Sequence, residues 1–113
     1  MTANQIIINA LKPFGYPCKP NFYNGGEKKY FTFNYADERG ADYGDNQPGC
    51  ILSSMQIHFF LPMKENCIKE KKEVRKALFK AGFTYPVVIE ITEEENGTRH
   101  IVYECDITEE REE

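Results

Sequence analysis

Apolar and polar residues alternate along this chain with two different periods. Ile7, Ala10 and Leu11 recur at helical spacing, and Thr2 followed three residues on by Gln5 has the form of a capping box. Lys12 precedes Pro13 and Gly15 follows, so this helix should end near residue 12. Pro13, Gly15, Pro17, Pro20 and Asn24-Gly25-Gly26 then break the chain, leaving room for a short edge strand between Pro17 and Tyr23. At Lys29–Tyr35 the period becomes two, with Phe31, Phe33 and Tyr35 on one face of a strand. Ala36–Gly49 is polar and turn-rich and reads as a long loop. A second alternating run covers Cys50–Leu61, with Ile51, Ser53, Met55, Ile57, Phe59 and Leu61 on its more apolar face and Pro62 as its end. Helical spacing returns over about Cys67–Ala81, with Val74, Ala77, Leu78 and Ala81 inward, charged residues outward and Asn66 as a candidate cap. Gly82 offers the left-handed residue that closes such a helix, and Pro86 prevents its resumption.

Two more alternating runs, Val87–Thr92 and Ile101–Ile107, flank Glu95-Asn96-Gly97. Their apolar residues are odd-numbered in both. A two-residue Asn96-Gly97 turn would set Ile91 against Val102 and place the two apolar sets on opposite faces. A three-residue loop sets Ile91 against Ile101, Thr92 beside His100 and Glu93 beside Arg99, and places Gly97 in the left-handed position of a G1 bulge. This second register is the one expected. The element order α-β-β-β-α-β-β then predicts a single α+β domain over residues 1–107. Its sheet should have four to five mainly antiparallel strands, with two helices packed on one face. The acidic tail 108–113 has no apolar residue and is expected to be disordered.

Composition narrows the possible functions. A chain of 113 residues makes one domain. A formal charge of -4 argues against a nucleic-acid grip, which needs clustered Lys and Arg. No apolar run approaches the roughly 18 residues of a membrane span. Met1–Gln5 lacks a basic leader, and Ile6–Ile8 is too short for a signal core, so a cytoplasmic site of synthesis and assembly is expected. Cys18, Cys50, Cys67 and Cys105 are scattered singly, without a C-x-x-C pair, and are expected as reduced, packed thiols.

Candidate chemistry is sparse. His58 and His100 share the even face of their strands, where Cys50, Glu104 or Asp106 would complete a nucleophile–base pair or a metal site. Their spacing is not that of ligands, and partly exposed sheet residues are the simpler reading. Glu93-Glu94-Glu95 lacks the alternating oxygen ligands of a calcium loop, and neither Gly-rich turn leads into a Lys-Ser/Thr pair. No catalytic, cofactor-binding or metal-binding residue is therefore assigned. The even sheet face is more informative: Tyr30, Leu52, Phe60, Val88 and Val102 are apolar where helices on one side leave the sheet bare. A neighbouring subunit is the expected cover, with the N-terminal segment as the alternative.

Taken in order, several features resemble the tail terminator (tail completion) proteins of long-tailed bacteriophages and prophages. They are the N-terminal helix and Pro-rich segment, Tyr30-Phe31-Thr32-Phe33-Asn34-Tyr35, the acidic Gly/Asp loop, and the long strand ending Phe59-Phe60-Leu61-Pro62. Val74–Phe83 and the hairpin with Thr98-Arg99-His100 complete the set. The resemblance covers most of residues 2–107. It implies a non-enzymatic virion protein, without cofactor, that assembles in the bacterial host cytoplasm. Such a protein forms a ring, commonly a hexamer, on the tail tube and meets the head–tail connector protein as well as the tail tube protein. The loop residues Asp37, Glu38, Asp42, Tyr43 and Asp45 would then face the bore or a tail partner. A head–tail connector or stopper, or a small ligand-binding or regulatory α+β domain, are the alternatives.

Overall fold

The computed structural model describes residues 2–41, 49–93 and 97–110. Helix α1 is Ala3–Leu11. Thr2 Oγ1 accepts from the Gln5 backbone and Gln5 Oε1 accepts from the Thr2 backbone, so the capping box forms as expected. A 3-10 turn at Lys12–Phe14, with Pro13 at its start and Gly15 at positive φ, redirects the chain into β1, Cys18–Pro20. Strand β2 spans Tyr30–Ala41, β3 Cys50–Pro62, α2 Ile68–Lys80, β4 Val87–Glu93 and β5 Thr98–Glu110. The sheet order is β1-β2-β3-β5-β4, antiparallel except for the β1–β2 pair. This is the expected α+β order, with β5 inserted between β3 and β4.

One face of the sheet carries the core. Phe31 and Phe33 of β2, Met55, Ile57, Phe59 and Leu61 of β3, and Ile101, Tyr103 and Cys105 of β5 pack against Ile7 and Leu11 of α1 and Val74 and Leu78 of α2. The odd-numbered alternation is thus the inner face of β2, β3 and β5. Tyr103 is fully buried, and its hydroxyl donates to the Lys71 carbonyl of α2 at 2.9 Å. Asn66 Oδ1 accepts from the Ile68 backbone at the start of α2, and Gly82 at φ +113° follows its end. All four cysteines are free thiols. Burial pushes the Cys18 thiol up to about 11 and the Cys105 thiol up to about 12, so both stay protonated at neutral pH.

Three expectations are corrected. First, the long loop is shorter than its polarity suggests. After a bulge between Tyr35 and Asp37, β2 continues to Ala41 and pairs Asp37 with Ser54 and Arg39 with Leu52. A polar run forms strand here because its backbone pairs with β3, whatever its side chains bury. Second, Thr108–Glu110 belongs to β5, not to a frayed tail. Glu109 accepts from the Ala3 backbone at 2.9 Å, from the Tyr35 hydroxyl at 3.2 Å, and from the Ser53 hydroxyl. A carboxylate at the first turn of α1 also meets the positive end of the helix dipole. Residues 111–113 lie outside the described residues. Replacing Glu109 with Ala leaves the fully buried Ser53 hydroxyl and the α1 N-terminus without their acceptor. It should cost about 1–3 kcal/mol in chemical denaturation.

The third correction is the hairpin register. Ile91 pairs with His100, Thr92 with Arg99 and Glu93 with Thr98. The odd residues of β4 therefore face away from the helices, and Val88 packs onto the core instead. Polar fastening sets this register. Glu90, on the helix side with Val88, binds Arg99 and sits 3.6 Å from Lys71 of α2, while Arg75 Nε donates to the Pro86 carbonyl at 2.8 Å. Thr84 and Asp106 exchange two further hydrogen bonds of 2.9 Å. The expectation for Gly97 holds: its φ is +63°, and its carbonyl accepts from the Met63 backbone at 2.9 Å. A Cβ there meets nothing within 4 Å, so the strain of a side chain is purely conformational. Gly97→Val should cost about 1 kcal/mol or more, read as a lower denaturation midpoint.

Candidate assembly surface

The face opposite the helices is the molecule's distinctive surface. Tyr30 and Phe60 are directly paired on β2 and β3, and Ile89 and Val102 on β4 and β5. Leu52 lies farther along β3, opposite Arg39. Of the five residues expected on this face, Tyr30, Leu52, Phe60 and Val102 are there and Val88 is not. Val87, Ile89 and Ile91 take its place, 59%, 42% and 45% exposed. The sequence signal for them is their alternation in Val87–Thr92, whose direction the packing reverses. Because β4 is an edge strand, these side chains border a row of backbone groups that no strand among the described residues pairs.

An aromatic ladder crosses the same face. Ring centroids are 4.8 Å apart for Tyr23–Tyr30, 4.8 Å for Tyr30–Phe60, 4.3 Å for Phe60–His100 and 5.0 Å for His100–His58. The segment before β2 thus reaches the face through Tyr23, at the Tyr30 end. Gly25 makes room for that ring: a Cβ at this position would lie 2.1 Å from the Tyr23 hydroxyl oxygen.

The structure brings His58 and His100 together, with His58 Nδ1 2.8 Å from His100 Nε2. Cys50 does not join them, since it lies eight positions back along β3, opposite Glu110. Glu104 is opposite Gln56, and Asp106 is opposite Ser54, farther from the pair. No cluster of three or more metal-ligating side chains occurs among the described residues. Burial, with His100 alongside, holds the His58 imidazole below its ordinary value.

The acidic residues expected in a bore loop divide. Asp37 and Glu38 are on β2, and Asp37 is bound by Arg39, with Nε 2.8 Å and Nη2 2.5 Å from its Oδ2. Asp42, Tyr43 and Asp45 lie outside the described residues. No protein-family model matches the chain, and no curated protein matches it.

Proposed function

We propose that this chain is a structural, non-enzymatic tail terminator subunit of a long-tailed bacteriophage or prophage. It forms a homo-oligomeric ring, a hexamer on the family pattern, that caps the tail tube and meets the head–tail connector. The observation that carries the reading is the apolar outer face running from Tyr30 and Phe60 to Val87, Ile89 and Ile91, at the open edge of β4. Exposed apolar patches of this kind mark contacts, and an exposed edge strand invites pairing with another chain. A ring subunit needs such a self-contact, whereas a monomeric regulatory domain does not. The order and character of the elements support the same reading.

Within this proposal, Asp37 and Glu38 on β2 face the bore or the tail tube. Their acidity would keep phosphate from adhering to a conduit for DNA. The test is genetic. Removing the gene from the parent phage or prophage should give tails of uncontrolled length or tails without heads, restored by the gene supplied in trans. Normal infectious particles from the deletion would refute the proposal.

A further inference from the structure

We infer that the lysine face of α2 docks on the acidic outer sheet face of a second copy, around Glu104 and Asp106, so that copies join helix to sheet and head to tail. The contact rests on the assembly proposed above and assigns the two surfaces that make it. Charge is unevenly divided in this chain. Helix α2, Ile68–Lys80, holds six basic residues against Glu70 and Glu73, a net of +4 in a chain whose formal charge is -4. The other 100 residues therefore sum to -8. Val74 and Leu78 turn one side of the helix into the core. Lys69, Lys72, Lys76 and Lys80, three or four residues apart, form one line on the opposite side, about 16 Å long at about 1.5 Å per residue. Glu73 is the one acid of α2 beside that line, 4.0 Å from Lys69. Lys71 and Arg75 are engaged elsewhere, with Glu90 and the Pro86 carbonyl.

Apolar side chains border the lysines. Ile68 and Phe79 are exposed on one flank of the line, and Tyr85 meets Phe79 edge to face with centroids 5.4 Å apart. The Arg75 guanidinium lies 4.3 Å from the centre of the Tyr85 ring and holds it in place. The outer sheet face has the matching arrangement. Asp37, Ser54 and Asp106 form a row across β2, β3 and β5, and Glu104 stands opposite Val87 of β4. Arg39 binds Asp37, so Glu104 and Asp106 carry the surplus charge. Both line a hollow of about 370 Å³ where β4 begins, with Thr84, Tyr85 and Val87. From β2 to β4 is three strand spacings, about 14 Å, close to the length of the lysine line. Exposed Val87 and Ile89 lie beside these acids as Ile68 and Phe79 lie beside the lysines. Only one pairing of the two surfaces joins opposite charges. Two helix faces would set lysines against lysines, and two sheet faces would set Glu104 and Asp106 against their own copies. Helix on sheet is a heterologous contact, the kind that generates a ring when its rotation closes.

Charge reversal in the full chain tests this, with circular dichroism to confirm that each variant is folded. Self-association in sedimentation velocity should weaken as sodium chloride is raised. K72E/K76E and E104K/D106K should each associate at least about tenfold more weakly than the wild type. An equimolar mixture of the two should regain association, because each reversed surface then meets its complement. Wild-type association by K72E/K76E would overturn the helix contact and leave assembly through the sheet edge standing. Loss in both variants without recovery in the mixture would overturn the pairing of these two surfaces. Duplex DNA held by the lysine line, with self-association unchanged in K72E/K76E, would make a polyanion its occupant and overturn the inference. A wild-type chain that stays monomeric at every concentration and salt would overturn the assembly reading itself, and this contact with it.

Discussion

Phe59→Ala should cost about 3–5 kcal/mol, the largest loss of stability expected from any single substitution in this chain. Phe59 is fully buried at the centre of the sheet, opposite Phe31 on β2 and Ile101 on β5. Its ring stacks on Phe31, with centroids 4.6 Å apart, and on Tyr16 at 6.0 Å. Tyr16 in turn ties the segment after α1 to α2, since its hydroxyl donates to Glu70 at 2.5 Å and its ring lies under the Lys29 ammonium. Truncation thus opens a cavity and frees the ring that holds two layers together. Against a domain's usual stability of about 5–15 kcal/mol, the melting temperature should fall by more than about 10 °C. A loss below about 1 kcal/mol would mean that this stack is not the centre of the core.

The second large effect concerns association. Changing Ile89 and Ile91 together to lysine should leave the subunit folded, because both side chains are on the exposed face of an edge strand. Each should withdraw about 1.5–3 kcal/mol of apolar burial from a subunit contact and place a cation there. Together they should weaken self-association at least about a hundredfold. Val88→Lys is the contrasting variant, since Val88 packs on the core and its loss should unfold before it dissociates. Circular dichroism and sedimentation on the two variants separate these outcomes. Undiminished assembly of the Ile89/Ile91 variant would show that β4 is outside the contact.

Much of this architecture was legible because burial and period coincide in α1, α2, β3 and the inner half of β2. Phe31, Ile57, Phe59 and Leu78 are apolar at the positions that face the helices, and helices and strands differ in period. At β5 and β4 the failures share one cause: polar groups buried with partners, and apolar groups left outside. Glu109 and Ser53 face inward, yet each satisfies the other, so no alternation signals strand at Thr108–Glu110. In β4 the inward positions are Val88 and Glu90, and Glu90 is held by Arg99 and Lys71. A pattern rule that sends the more apolar side inward must then choose the wrong face, and a one-residue change of register follows. The histidine contact was half legible. Both residues fell on the even face, but their adjacency depends on β5 entering beside β3, which periodicity does not encode.

Native mass spectrometry of the purified chain tests the central claim most directly. Each subunit is 13.1 kDa, so a ring appears as one dominant closed multiple of that mass. The account predicts such a species, six subunits on the pattern of the tail terminators the sequence resembles, which the Ile89/Ile91 lysine variant reduces to monomer. A monomer alone, across the concentrations at which the outer face should be covered, would contradict it.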